Sequence, residues 1–130
     1  MMQNEIQETK KVKQVILIRR DLKMRRGKEI AQGSHASQAF LAQAVLTDRR
    51  LTDEELAWLN GTHTKVCLQV ESEEELRTLH AKAEELGLRA HLIVDAGLTE
   101  FAGQPTLTAG AIGPGDEEKI NTVTGHLKLY

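Results

Sequence analysis

Residues 12–27 read VKQVILIRRDLKMRRG. The first seven, VKQVILI, close on Val15, Ile16, Leu17 and Ile18, four consecutive β-branched or leucine side chains, as in a strand covered on both faces. Gly27 punctuates the polar stretch that follows, and residues 28–46, rich in alanine and glutamine, read as a helix. A doubly covered strand feeding a helix is the repeating unit of a layered α/β domain.

The same alternation continues outward. Thr52 precedes Glu55 by three residues, the spacing of a capping box, and predicts a short helix ended by Gly61. TKVCLQV at 64–70 reads as a second strand. Residues 72–87 read as a helix opened by Ser72 with Glu75 and stopped by Gly87, with Leu76, Leu79, Ala83 and Leu86 on one face toward the sheet. AHLIV at 90–94 is a third strand, and LTAGAI at 107–112, closed by Gly113, Pro114 and Gly115, a weaker fourth. The final stretch, EEKINTVTGHLKLY, reads as a helical turn ended at Gly125. With 130 residues and no internal repeat, one domain over 12–130 is expected, preceded by a flexible basic segment at 1–11.

Composition narrows the function classes. A hydrophobic content of 40% with 28% charged residues suits a soluble globular chain, and no apolar run reaches the length of a membrane span. The opening MMQNEIQETKK lacks the apolar core of a secretory signal, so a cytoplasmic location is expected. Cys67 is the single cysteine, which excludes an internal disulfide; its place within VCLQV suggests a buried structural thiol. The five histidines form no HExxH pattern, and neither a GxSxG elbow nor a GxxxxGK[ST] phosphate loop is present, so no metal is called for.

The net charge of −2 conceals a segregation. Residues 10–28 hold nine of the 17 lysines and arginines against the single acid Asp21, leaving eight cations and 18 acids for the rest of the chain. A positive locus on an acidic body concentrates an anionic ligand at one place. It lies where the first strand gives way to a helix, whose leading N–H groups lack intrahelical partners and attract anions. Arg19, Arg20, Lys23, Arg25 and Arg26 are therefore the candidates for phosphate or RNA contact. Lys28, Gln32 and His35 fall at i, i+4 and i+7 of the helix and share a face. Asp95 ends the third strand, where it is placed either for chemistry or to cap the following turn; Thr99 and Thr108 offer hydroxyls to the same cleft.

These residues also carry a resemblance. The stretch from Asp21 to Ala36, with Met24, Gly27, Lys28, Gln32 and His35 in fixed spacing, the DAG and Thr99 beginning at Asp95, AIGPG at 111–115 and VTGHLKLY at 123–130 are together similar to the type 2 peptidyl-tRNA hydrolases, collinear from about Lys13 onward. The resemblance implies a single-domain α/β fold with a four-stranded mixed sheet and helices on both faces, frequently a homodimer, with no cofactor. It implies hydrolysis of the ester joining a peptide to tRNA. By the same resemblance Lys28 and Asp95 match residues implicated in catalysis, Thr99 and Thr108, at matching polar positions of the cleft, join them as catalytic candidates, and Gln32 and His35, within the signature, join the arginines and Lys23 as candidate substrate or tRNA contacts. The chain departs from the common pattern at Arg25, a glycine in the family, at Leu98, an arginine there, and in the loop at 101–106. The alternative is a non-catalytic RNA-binding or adaptor module on the same fold.

Overall fold

The apolar run that opened the sequence becomes β1 (Val12–Arg19), buried from Gln14 to Arg19. The computed structural model describes residues 11–98 and 100–130; residues 1–10, and with them nearly all of the expected N-terminal segment, lie outside the described residues, as does Thr99. β1 is central because its side chains alternate between two apolar layers. Ile16 and Ile18 face one layer with Ala36, Ala109 and Ala111, whereas Val15 and Leu17 face the other with Leu76, Ile112 and Ile120.

A short 3-10 turn (Arg20–Leu22) leads from β1 to α1 (Arg26–Thr47), a 22-residue helix that begins two residues before the expected start. After α1 come α2 (Asp53–Asn60), β2 (Lys65–Val70), α3 (Glu73–Glu85), β3 (Ala90–Asp95), β4 (Thr106–Asp116) and α4 (Glu117–Thr124). The sheet order is β2-β1-β4-β3, with β1 parallel to β2 and β4 antiparallel to both β1 and β3. This is an open four-stranded mixed sheet in a single α/β domain. α1 packs on the face of Ile16 and Ile18, and α3 and α4 pack on the face of Val15 and Leu17. The sheet thus lies between two helical layers.

The local signals for α2 and α3 are realised atom by atom. Thr52 Oγ1 accepts from Glu55 N at 3.0 Å while Glu55 Oε1 accepts from Thr52 N at 2.8 Å, a complete capping box. Ser72 caps α3 by accepting from Glu75 N, and Leu76, Leu79 and Ala83 are buried. Leu86 is the exception to its predicted face. It stands at the helix C-cap, 42% exposed, because the periodicity lapses where the helix ends.

Two expectations need larger correction. The weak fourth strand is the longest in the sheet, 11 residues buried from Leu107 to Gly115. Its glycines and proline read as a terminator, but small residues are what a strand wedged between two others and a helix accepts. A Cβ on Gly110 would stand 2.8 Å from His91 O. Pro114, which has no N–H to give, falls where the pairing with β1 slips between Lys13 and Val15, one of the places a sheet tolerates proline. Cys67, expected to be buried, is exposed. β2 is an edge strand, with no strand beyond it among the described residues, and Cys67 lines the open groove next to α1. That edge is bordered instead by the C-terminal residues: Gln69 N donates to Lys128 O and Tyr130 N donates to Cys67 O.

Candidate active site

β1 and β3 end at the same rim of the sheet, and α1 begins there. Lys28 is the third residue of α1, and Asp95 is the last of β3. Although 67 positions apart, they meet: Lys28 Nζ donates to Asp95 Oδ1 at 2.9 Å, with side chains 13% and 14% exposed. One helical turn on, Gln32 Nε2 donates to the same Oδ1 at 3.2 Å. The other carboxylate oxygen accepts from the Gly97 N–H at 2.8 Å. The Lys28 hydrogen bond, helped by the Gly97 N–H and Gln32, outweighs partial burial and holds the Asp95 carboxyl below the ordinary range. The two sequence readings of Asp95 are therefore compatible, since one oxygen caps the turn while the other faces the ammonium.

Thr108, on the central strand β4, is fully buried and donates its hydroxyl to Gln32 Oε1. Gln32 is itself only 2% exposed. His35, a further turn along α1, is exposed and stands outside the hydrogen bonds that join Lys28, Gln32, Asp95 and Thr108 among the described residues.

The loop from β3 to β4 closes one side of the site. Gly97 has φ +84, and a Cβ there would collide with Gln104 O, so only glycine fits. Its carbonyl accepts from Gly103 N, and Phe101 O accepts from Gln104 N, which folds the loop on itself. This brings the Phe101 ring to 5.8 Å from Lys28 Nζ and Glu100 to 3.6 Å from the Arg25 guanidinium. Sequence reasoning passed over Gly97, Glu100 and Phe101. The Asp-x-Gly turn gave a signal for the first; nothing local signalled the other two, whose roles depend on where the loop folds.

The cations divide into two groups. Arg20, Lys23, Arg25 and Arg26 are exposed around the mouth of α1, which has no side-chain cap on its leading N–H groups. Arg19 is turned inward. Its guanidinium bonds both oxygens of Asp21 at 3.1 and 2.6 Å and the Leu107 carbonyl at 2.8 Å, and its side chain is only 11% exposed. Among the described residues no group of three or more His, Cys, Asp or Glu is placed to hold a metal ion, and no helix is long and apolar enough to cross a membrane.

The arrangement is thus an α/β domain that presents a shielded ammonium–carboxylate pair inside a rim of exposed cations, the class of site suited to polar-bond chemistry on a polyanion. Residues 12–130 match the family described as peptidyl-tRNA hydrolase PTH2. The chain is 45% identical over 119 residues to a peptidyl-tRNA hydrolase of Methanocaldococcus jannaschii, covering 91% of this chain and 99% of the relative. It is 43% identical to one from Thermococcus sibiricus (92% and 98% covered) and 43% identical to one from Methanopyrus kandleri (90% and 97%). The chain belongs to the peptidyl-tRNA hydrolase PTH2 family.

Proposed function

We infer that this chain hydrolyses the ester bond between a peptidyl group and tRNA, and so releases tRNA for reuse. The observation that carries the reading is the Lys28–Asp95 pair at the strand-end rim of a chain matched to this family from residue 12 to its last residue. Ester hydrolysis needs charge stabilisation on the carbonyl oxygen, a placed water and help for the departing ribose oxygen. Lys28 supplies a compact, rotatable ammonium for the developing oxyanion or for the adjoining phosphate. Asp95, ionised at neutral pH, aims that ammonium and accepts a hydrogen bond from the attacking water. Its depressed pKa makes it a weak proton acceptor, so orientation and charge are its contribution. Thr99, four residues after Asp95 in sequence, is a further catalytic candidate by the family resemblance.

tRNA phosphates are held by Arg20, Lys23, Arg25 and Arg26, while Arg19 fixes the end of β1 on which they are mounted. His35 extends the contact along α1. Homodimer formation and a cytoplasmic location complete the proposal. An open apolar groove of about 640 Å³ on the α1–β2 flank, with Leu41, Trp58 and Tyr130 in its lining, supports the first.

The direct test is to incubate the protein with N-acetylated aminoacyl-tRNA and with its unacetylated counterpart and follow release of tRNA. Cleavage of the blocked substrate is expected. Binding of both without cleavage of either would favour an RNA-binding adaptor.

A further inference from the structure

We propose that Gln32 and Thr108 are positioning residues, a buried relay that sets the orientation and charge of Asp95 from behind without touching the substrate. The inference deepens the hydrolase reading and rests on it for its kinetic consequences alone.

The direction of the relay follows from donor and acceptor chemistry. An ionised carboxylate only accepts, so the Gln32 group 3.2 Å from Asp95 Oδ1 must be the amide NH2. The amide oxygen then faces Thr108, whose hydroxyl must donate to it. Each hydrogen bond fixes the next, running from Thr108 through Gln32 to Asp95. Among the described residues the Thr108 hydroxyl has one other acceptor within reach, Ile93 O at 3.5 Å, a much weaker contact. Without the Thr108 donor, the Gln32 amide is free to turn over, which would set its oxygen against the carboxylate. With Thr108 fully buried and Gln32 2% exposed, neither is open to a substrate, so both must act through Asp95. The relay also spans α1, β3 and β4, the three elements whose relative position determines whether Lys28 meets Asp95.

Among charged groups, Lys28 of α1 is bonded to Asp95, and the Arg25–Glu100 pair stands at the mouth; β4 presents the neutral Thr108. Removing the relay therefore withdraws a donor from Asp95 and leaves its charged neighbours in place. The Asp95 pKa should rise.

The experiment compares Thr108→Val, which keeps shape and loses the donor, Thr108→Ser, which restores it, and Gln32→Leu. Three readings are taken on each: the melting temperature, kcat and KM across pH, and the Asp95 carboxyl titration by NMR. In metal sites, losing a residue that orients a ligand costs about 10- to 100-fold in affinity or activity, and the same scale is expected of residues that orient a carboxylate. We expect a kcat loss on that scale in Thr108→Val and Gln32→Leu, near-constant KM, an acid limb moved to higher pH, and recovery in Thr108→Ser. A raised KM with unmoved kcat and acid limb would make Gln32 a substrate contact and overturn the relay. A lowered melting temperature with kcat and the Asp95 titration unchanged would reduce both residues to packing and overturn it equally. The titration does not depend on turnover. If the unmodified protein is inactive yet Asp95 titrates higher in the variants, the hydrolase reading falls and the relay stands; an active protein whose Asp95 titration is unmoved gives the reverse.

Discussion

At the scale of single residues, Lys28 and Asp95 were legible because motif spacing marks them and because each occupies an element terminus at the strand-end rim. Their contact makes a kinetic prediction. Lys28→Ala should lower kcat roughly 100- to 1000-fold, the usual scale for one electrostatic donor, with little change in KM. If the two act as a unit, as proposed, Lys28→Ala combined with Asp95→Asn should cost little beyond the worse single change; steady-state kinetics on the four proteins measures this, and losses that multiply would separate the residues. Lys28→Arg keeps the charge without the compact ammonium and should remain impaired. Arg19 shows what residue type alone does not reveal. It is one of a run of cations, yet the strand geometry turns its guanidinium inward to Asp21 and Leu107 O, while Arg20 beside it is exposed.

At the scale of elements, the capping box of α2 was readable from Thr52 and Glu55, but its tertiary use was not. Glu55 is fully buried, and its oxygens accept from Arg49 at 3.0 and 3.1 Å, with Arg89 3.9 Å away. Burial pushes the Glu55 carboxyl up, but the Arg49 hydrogen bonds, the Thr52 N–H and the charges of Arg49 and Arg89 together hold it below the ordinary value. A carboxyl depressed in the folded state contributes stability above its unfolded pKa and loses it as pH falls through the folded one. Glu55→Gln should therefore cost about 3 kcal/mol at neutral pH, since it strands Arg49 without its charge partner. The gap between variant and parent should narrow as pH falls below the ordinary glutamate pKa of about 4.3, where the unfolded parent begins to bind a proton that the folded one does not. Denaturant unfolding at a series of pH values tests both parts; a gap independent of pH would mean that the pair is electrostatically idle. β4 illustrates the opposite failure. Its Gly113, Pro114 and Gly115 carry a turn signature, and only insertion between β1 and β3, with a slip in register for the proline, makes them strand.

At the scale of the whole molecule, the segregation of charge becomes a cationic rim around one shielded pair. Binding through phosphates releases counterions, so tRNA affinity should fall with salt. Replacing Arg25 and Arg26 by Glu should weaken binding for all tRNA sequences alike and flatten the plot of log affinity against log salt by roughly 0.7–0.9 for each phosphate no longer neutralised. An unchanged slope in a filter-binding titration would move the RNA interface elsewhere. The sequence by itself determined the α/β class, nearly every element and the Lys28–Asp95 candidates, because hydrophobic period, caps and motif spacing are local and survive without a fold. The tertiary structure alone decided the full length of β4, the exposure of Cys67, the inward turn of Arg19 and the Thr108–Gln32–Asp95 chain. Each depends on which strand lies at an edge or in the middle, and on which donors approach an acceptor from distant parts of the chain, and neither is written in any local pattern.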